Sequence, residues 1–186
     1  LLDTMLKADG VKGGLDEVEL VNVGWTLAEA LINESVDACI GCYFSHESFL
    51  IENQGHPVNI MRMEEWGVPD FYELVLVTSE KTLDERPEVA QRLVRALMRG
   101  YADAAAHPDA AVDTLLAGTE AEVDEAIERP GVQIIAPLWT DGGPVGWQTS
   151  EKWTNFADWM HTNGLVDKPI DANAAFTNKF VEEIQK

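Results

Sequence analysis

Residues 18–47 read VELVNVGWTLAEALINESVDACIGCYFSHE, and the fold expected of the chain turns on this stretch. VELVNVG (18–24) is β-branched and apolar enough for a buried strand. Thr26-Leu27-Ala28-Glu29 has the form of a capping box, where a threonine oxygen and a glutamate carboxylate satisfy N–H groups at a helix start. A short helix is therefore expected through about Glu34. VDACIGCYF (36–44) then reads as a second buried strand. Working outward, SHESFLIENQG (45–55) fits a helix opened by Ser45 and closed near Gly55, and PVNIMRM (57–63) fits a third strand. Strand, helix, strand, helix, strand is the rhythm of a parallel α/β sheet.

EEWGVPD (64–70) interrupts that rhythm, and FYELVLVTSE (71–80) is again strand-like. From Glu80 onward the chain is expected to be almost entirely helical. Pro87 and Pro108 suit first-turn positions, and Val89, Leu93, Leu97, Tyr101 and Ala104 fall on one helical face. Thr119-Glu120-Ala121-Glu122 has the form of a further cap, and TDGGPVGWQTS (140–150) is rich in turn residues. Trp153, Phe156, Ala157 and Met160 share another face, and Asp171 is placed to cap a last helix ending in EEIQK (182–186). At the other end, LLDTMLKADG (1–10) opens as if in mid-helix, with neither Met nor a basic-then-apolar leader. A chain that begins inside a larger protein is the expectation.

Thirty-three Asp and Glu against 13 Lys and Arg give a net charge of -20, so nucleic acid and anionic membrane surfaces are disfavoured partners. No run approaches the roughly 18 apolar residues of a membrane span. Cys39 and Cys42 form a C-x-x-C pair, but a period-2 strand would send the two thiols to opposite faces. No second cysteine pair or histidine cluster completes a zinc site. Small buried residues are the expected role, and no metal is expected. There is no G-x-S-x-G elbow and no H-E-x-x-H pair. His56 and His107 precede prolines, His161 lies on a late helix, and His46 alone falls near the expected cleft.

Ligands of open α/β sheets sit beyond the carboxyl ends of strands. The second strand ends in Tyr43, Phe44, Ser45, His46 and Glu47, and Phe71, Tyr72 and Glu73 stand together at the start of another. Aromatic faces beside a carboxylate suit a flat, nitrogen-rich ring, which stacks on the faces and offers paired N–H groups to the acid. The bland alternative is ordinary core aromatics and a solvated acid. In Asp141-Gly142-Gly143-Pro144-Val145-Gly146-Trp147, glycines permit close backbone approach and Trp147 could serve as a lid. An ordinary turn accounts for the same residues.

Three runs now carry a resemblance. VELVNVGWTLAEALINESVDACIGCYFSHE (18–47), GVPDFYELVLVTSEKTLDERPE (67–88) and ADWMHTNGLVDKPIDANAAFTNKF (157–180) resemble the periplasmic binding proteins for thiamine pyrimidine precursors, whose fold is shared by fungal enzymes that synthesise that pyrimidine. The resemblance implies a two-lobed type II binding-protein fold: a parallel-rich α/β sheet lobe followed by a largely helical C-terminal segment. It makes residues 1–66 an N-terminally incomplete second lobe and 67–186 the crossover and the C-terminal part of the first lobe, with most of lobe one lacking a counterpart here. It implies capture of a small heteroaromatic solute between lobes, without chemistry or cofactor, and delivery to an ABC permease. Location would be periplasmic or extracellular, any lipid anchor being carried by a preceding segment. The expected ligand residues are Glu73, Tyr72, Tyr43, Phe44, Glu47 and Trp147, with Glu73 reading the pyrimidine. The related synthases carry a cysteine-rich segment where this chain has Val68-Pro69-Asp70-Phe71-Tyr72, a departure that favours import. The alternatives are a synthase-like enzyme and a ligand-sensing domain on the same fold.

Overall fold

The computed structural model describes residues 1–120, 122–141 and 143–182. Outside them lie Ala121 of the Thr119–Glu122 cap, Gly142 of the glycine-rich loop and most of the EEIQK tail. The chain divides into two units. One comprises 1–67 and 104–138, and the other comprises 68–103 and 139–186.

Among the described residues there is no strand, and regular structure is helical throughout. The α/β, parallel-sheet expectation is therefore corrected. The β-branched runs near 18–23, 36–43, 58–63 and 71–78 are present as irregular segments, and no ladder joins them. Apolar, β-branched sequence favours an open backbone, but a strand exists only where a neighbouring backbone receives its hydrogen bonds. Here the helices pack on one another instead of covering a sheet. The side chains meant for a sheet core face solvent: Leu20 and Val21, Ile60 and Met61, and the whole run Leu74–Val77, with Leu74 81% and Val77 85% exposed.

The first unit holds helices α1 (Leu2–Ala8), α2 (Leu27–Ile32), α3 (Glu47–Asn53), α6 (Pro108–Gly118) and α7 (Glu125–Ile135). Its centre is α2 on α3, α3 on α7 and α7 on α6, around buried Ala28, Ala30, Ile51, Val112, Ile127 and Ala136. Small residues let the helices approach closely. Gly131 is one such point, since a Cβ there would collide with the carbonyl oxygen of Ser45. Pro130, inside α7, lacks the N–H that would extend the ladder just before that contact. Arg129 ties α7 to α6: its Nε donates to Glu125 (2.6 Å) and its Nη2 to Asp113 (2.5 Å), while Nη1 reaches the Asp109 carbonyl (3.3 Å). The hydrogen bond to Asp113, then that to Glu125, raises the guanidinium pKa above its ordinary value.

The second unit holds α4 (Glu80–Glu85), most of α5 (Pro87–Ala106), α8 (Ser150–Thr162) and α9 (Lys179–Glu182), with buried Val68, Ala157, Ala172 and Val181. Pro87 and Pro108 stand first in α5 and α6, where a missing N–H costs no hydrogen bond.

Helix starts shift locally from their sequence expectation. His46, not Ser45, precedes α3, and α7 is capped by Asp124, which accepts from Ala126 N–H at 2.9 Å, not by Thr119. Asp171 accepts from Asn173 N–H and caps the 3₁₀ turn Ala172–Ala174. Cys39 and Cys42 are joined as a disulfide. Because no strand forms at 36–43, nothing holds the two thiols on opposite faces, and the intervening pair of residues lets them meet. Among the described residues no helix is long and apolar enough to cross a membrane.

Two glycines should respond to alanine in opposite directions. Gly131→Ala overpacks the contact of α7 with the Ser45 carbonyl and should destabilise the protein by about 1–3 kcal/mol. Gly100→Ala, in α5 with nothing within 4 Å of the added methyl, should stabilise it by about 0.5–1 kcal/mol. Calorimetric melting of both variants checks the pair. Thiol titration of denatured, unreduced protein should find no free thiol, and two free thiols would rule out the Cys39–Cys42 bond.

Candidate functional site

The candidate residues lie in two places, Tyr43, Phe44 and Glu47 in the first unit and Tyr72, Glu73 and Trp147 in the second.

The first group occupies one turn leading into α3. Tyr43 N–H donates to the Glu47 carboxylate at 2.8 Å, His46 N–H returns to the Tyr43 carbonyl at 3.1 Å, and the Ser48 hydroxyl donates to the Phe44 carbonyl at 2.5 Å. Glu47 therefore closes its own loop. His46 stands between carboxylates, with Nδ1 3.7 Å from Glu47 and Nε2 4.0 Å from Glu128 on α7. Phe44 is half-buried beneath the guanidinium of Arg62, 4.6 Å from the ring centroid. Arg62 is itself held by Glu64 at 2.6 Å. Tyr43 is the more exposed of the two rings.

The second group rests on an aromatic cluster along α8. Phe71 stacks on Phe156 at 4.5 Å between centroids, and Phe156 stacks on Trp159 at 5.5 Å. Trp153 stacks on Phe176, with centroids 5.6 Å apart and planes nearly parallel, and lies 6.0 Å from the tilted ring of Tyr72. Such contacts add to simple burial because the ring faces are negative and the edges positive. Lys152 sets its ammonium 4.8 Å from the Tyr72 ring centroid while pairing with Asp70 at 2.6 Å. The Tyr72 hydroxyl accepts from the backbone N–H of Thr149 at 2.9 Å. Tyr72 is thereby anchored at both its ring and its tip.

Glu73 follows at once, exposed, and among the described residues its carboxylate has no hydrogen-bond or ionic partner. It is the acid of the candidate set left open to a ligand, whereas Glu47 is committed to a backbone amide.

Trp147 is half-buried in the turn before α8. Its N–H donates to the Pro144 carbonyl at 2.9 Å, and its side chain lies against Gly143. Gly146 has φ +80°, and a side chain there would meet the sulfur of Met98 on α5. Left-handed backbone and close approach to α5 thus both select glycine. One residue on, the Gln148 backbone is held on both sides by Asn178: N–H to Oδ1 at 3.0 Å, and carbonyl from Nδ2 at 2.6 Å. The Gln148 side chain accepts from Trp153 Nε1 at 2.9 Å. Trp147 and Tyr72 therefore belong to one bonded assembly, through residues 148 and 149.

Sequence reasoning missed Asp70, Lys152, Trp153, Phe176 and Asn178. Asn178 meets Gln148 across 30 positions, and Lys152 meets Asp70 from far along the chain, so no local spacing announces these pairs. The one local signal was Trp153 beside Lys152, already placed on an amphipathic face. Among the described residues no group of three or more His, Cys, Asp and Glu side chains is arranged to hold a metal ion.

Residues 1–111 match the family described as NMT1/THI5 like. The chain is 29% identical to the formylaminopyrimidine-binding protein of Halalkalibacterium halodurans over 182 residues, covering 96% of this chain and 54% of that protein. It is 31% identical to the riboflavin-binding protein RibY of Chloroflexus aurantiacus over 180 residues, covering 91% of this chain and 50% of that protein. The chain spans about half the length of the curated relatives it matches.

Proposed function

The chain belongs to the NMT1/THI5-like family, and from that premise we propose that it is part of a solute-binding protein that captures a small heteroaromatic molecule, a thiamine pyrimidine precursor, for an ABC importer. Its place is outside the cytoplasmic membrane, where such a protein meets its solute and hands it to a permease. The ligand leaves chemically unchanged, so recognition alone is required of the residues.

What supports this reading most is the pairing of a named aminopyrimidine-binding relative, matched across almost the whole chain, with an unpartnered carboxylate at Glu73 directly after the anchored ring of Tyr72. An aminopyrimidine whose ring nitrogen is protonated beside a carboxylate offers it two N–H groups, one from the amine and one from the ring, and its flat ring offers a face to an aromatic side chain. On this reading Glu73 takes the paired N–H groups, Tyr72 gives a stacking face and Trp147 covers the ring. Phe44 and Glu47 shape the turn that presents Tyr43, since Glu47 already holds its backbone.

A second reading, riboflavin as the solute, is favoured by the identity to RibY. The two ligands make different demands on Glu73. An isoalloxazine edge presents one ring N–H between two carbonyl oxygens, so a carboxylate gains one hydrogen bond and faces two repelled oxygens. An aminopyrimidine gives the same carboxylate more donors.

Calorimetry on the full-length protein separates the two. Wild type should bind an aminopyrimidine more tightly than riboflavin. Glu73→Gln exchanges one acceptor oxygen for a donor facing the ring's own N–H groups and should cost roughly 2–4 kcal/mol, about 30-fold or more in affinity. Equal affinity of wild type and Glu73→Gln for the aminopyrimidine would remove Glu73 from the site.

A further inference from the structure

Among the described residues the turn that carries Trp147 has no regular structure to hold it, yet the Gln148 N–H and carbonyl and the Thr149 N–H all meet side chains from far along the chain. Gln148 is met on both sides by the amide of Asn178, whose Oδ1 accepts from Gln148 N–H at 3.0 Å while Nδ2 donates to the Gln148 carbonyl at 2.6 Å. A primary amide carries a donor and an acceptor at the spacing of a peptide group, so asparagine replaces a neighbouring strand for one residue. Thr149 N–H then goes to the Tyr72 hydroxyl at 2.9 Å, and the Thr149 hydroxyl accepts from Lys152 N–H at 3.3 Å to start α8. Lys152 in turn lies over the Tyr72 ring.

We propose that Asn178 is a positioning residue for ligand recognition: by fixing Gln148 it sets Trp147 on one side and the Thr149–Tyr72 hydrogen bond on the other as a single unit. The inference rests on the proposed binding function for its ligand-dependent half, because Tyr72 and Trp147 are the residues it positions. Its structural half stands without a ligand. Among the described residues, the Asn178 hydrogen bonds go to Gln148 and to the start of α9, not to Tyr72 or Trp147. The effect of Asn178 passes through two peptide groups.

Side chain and backbone at Asn178 have separable roles. The Asn178 carbonyl accepts from Val181 and Glu182 N–H at 3.0 and 2.9 Å and opens α9. Asn178→Ala keeps that carbonyl and removes the two bonds to Gln148. Asn178→Asp keeps an acceptor for Gln148 N–H but sets a carboxylate oxygen against the Gln148 carbonyl, so it loses the donor alone.

The first measurement is residue-resolved amide hydrogen exchange on the full-length protein. Asn178→Ala should speed exchange at Gln148 and also at Thr149, tenfold or more at each, whereas Tyr72→Phe should speed Thr149 alone. Thr149 protection unchanged in Asn178→Ala would overturn the proposal, because the two bonds would then be independent. If Asn178→Ala does not fold, Asn178→Asp takes its place and should raise Thr149 exchange in the same direction.

The second measurement is aminopyrimidine affinity for Asn178→Ala, Tyr72→Phe and the double variant. Each single change should weaken binding about tenfold, and the double variant should bind no worse than the weaker single, since residues that act through one assembly are not additive. Losses that multiply would overturn the proposal, and so would wild-type affinity in Asn178→Ala. Absence of aminopyrimidine binding by wild type would sink the proposed function, and the exchange result would then decide the role of Asn178 by itself.

Discussion

Where the chain leaves its helices, no ladder among the described residues receives its backbone N–H and C=O groups, and the turns around the candidate residues follow from that constraint. A peptide group left unpaired away from water costs about 1–3 kcal/mol, and side chains take the part of a neighbouring strand at part-buried and exposed turns alike. Asp3 accepts from Leu15 N–H at 3.1 Å, and Glu47 accepts from Tyr43 N–H. Ser48 supplies the Phe44 carbonyl, Tyr72 takes Thr149 N–H, and Asn178 serves both faces of Gln148. A ladder is made by groups that every residue carries, so it survives most substitutions. A turn held by one asparagine or one tyrosine does not. The geometry of these turns is written into single side chains.

That dependence explains which parts of the molecule were legible in the sequence. Pro87 and Pro108 act through φ and a missing N–H, properties of the residue itself, and both open helices. Leu27–Ile32 forms where Thr26 was read as its start, although Thr26 donates its hydroxyl to the Val23 carbonyl at 2.8 Å and caps nothing. Apolar periodicity marked the face of α8 because stacking of Phe156 on Phe71 and Trp159 needs only helical spacing on one partner. The expected strands failed because β-branched composition reports a preference for open backbone, while pairing depends on what lies alongside. At the site, Tyr72 and Glu73 were legible as neighbours in sequence. Asn178 and Lys152 were not, since their importance comes from contacts with Gln148, Asp70 and Tyr72 that no local pattern encodes.

The two glutamates of the candidate set show how surroundings divide residues of one type into different roles. Glu47 already accepts a backbone N–H and has the His46 ring 3.7 Å away. If a ligand took that carboxylate, one hydrogen bond to a charged group would be exchanged for another, with little net gain and with the Tyr43 turn undone. On the proposed reading, Glu73 gives up only water to a ligand, because no protein group among the described residues holds it. Its two oxygens can both be committed to a ligand, and exclusion of solvent on binding strengthens each bond.

The cation in the same unit refines what that ligand can be. Lys152 stands over Tyr72, but its charge is answered by Asp70 at 2.6 Å, so the ammonium acts on the ring more than on an incoming solute. Set against a chain whose net charge is -20, an anionic solute would approach against the long-range field. In the proposed site, a weakly basic ring protonated on one edge meets no such penalty and gains the Glu73 carboxylate. The same field that disfavours phosphate and nucleic acid therefore agrees, at short range, with the chemistry of an aminopyrimidine. On the proposed reading, charge acts on the edge of the solute, while the hydrogen-bonded turn of residues 147–149 acts on its ring.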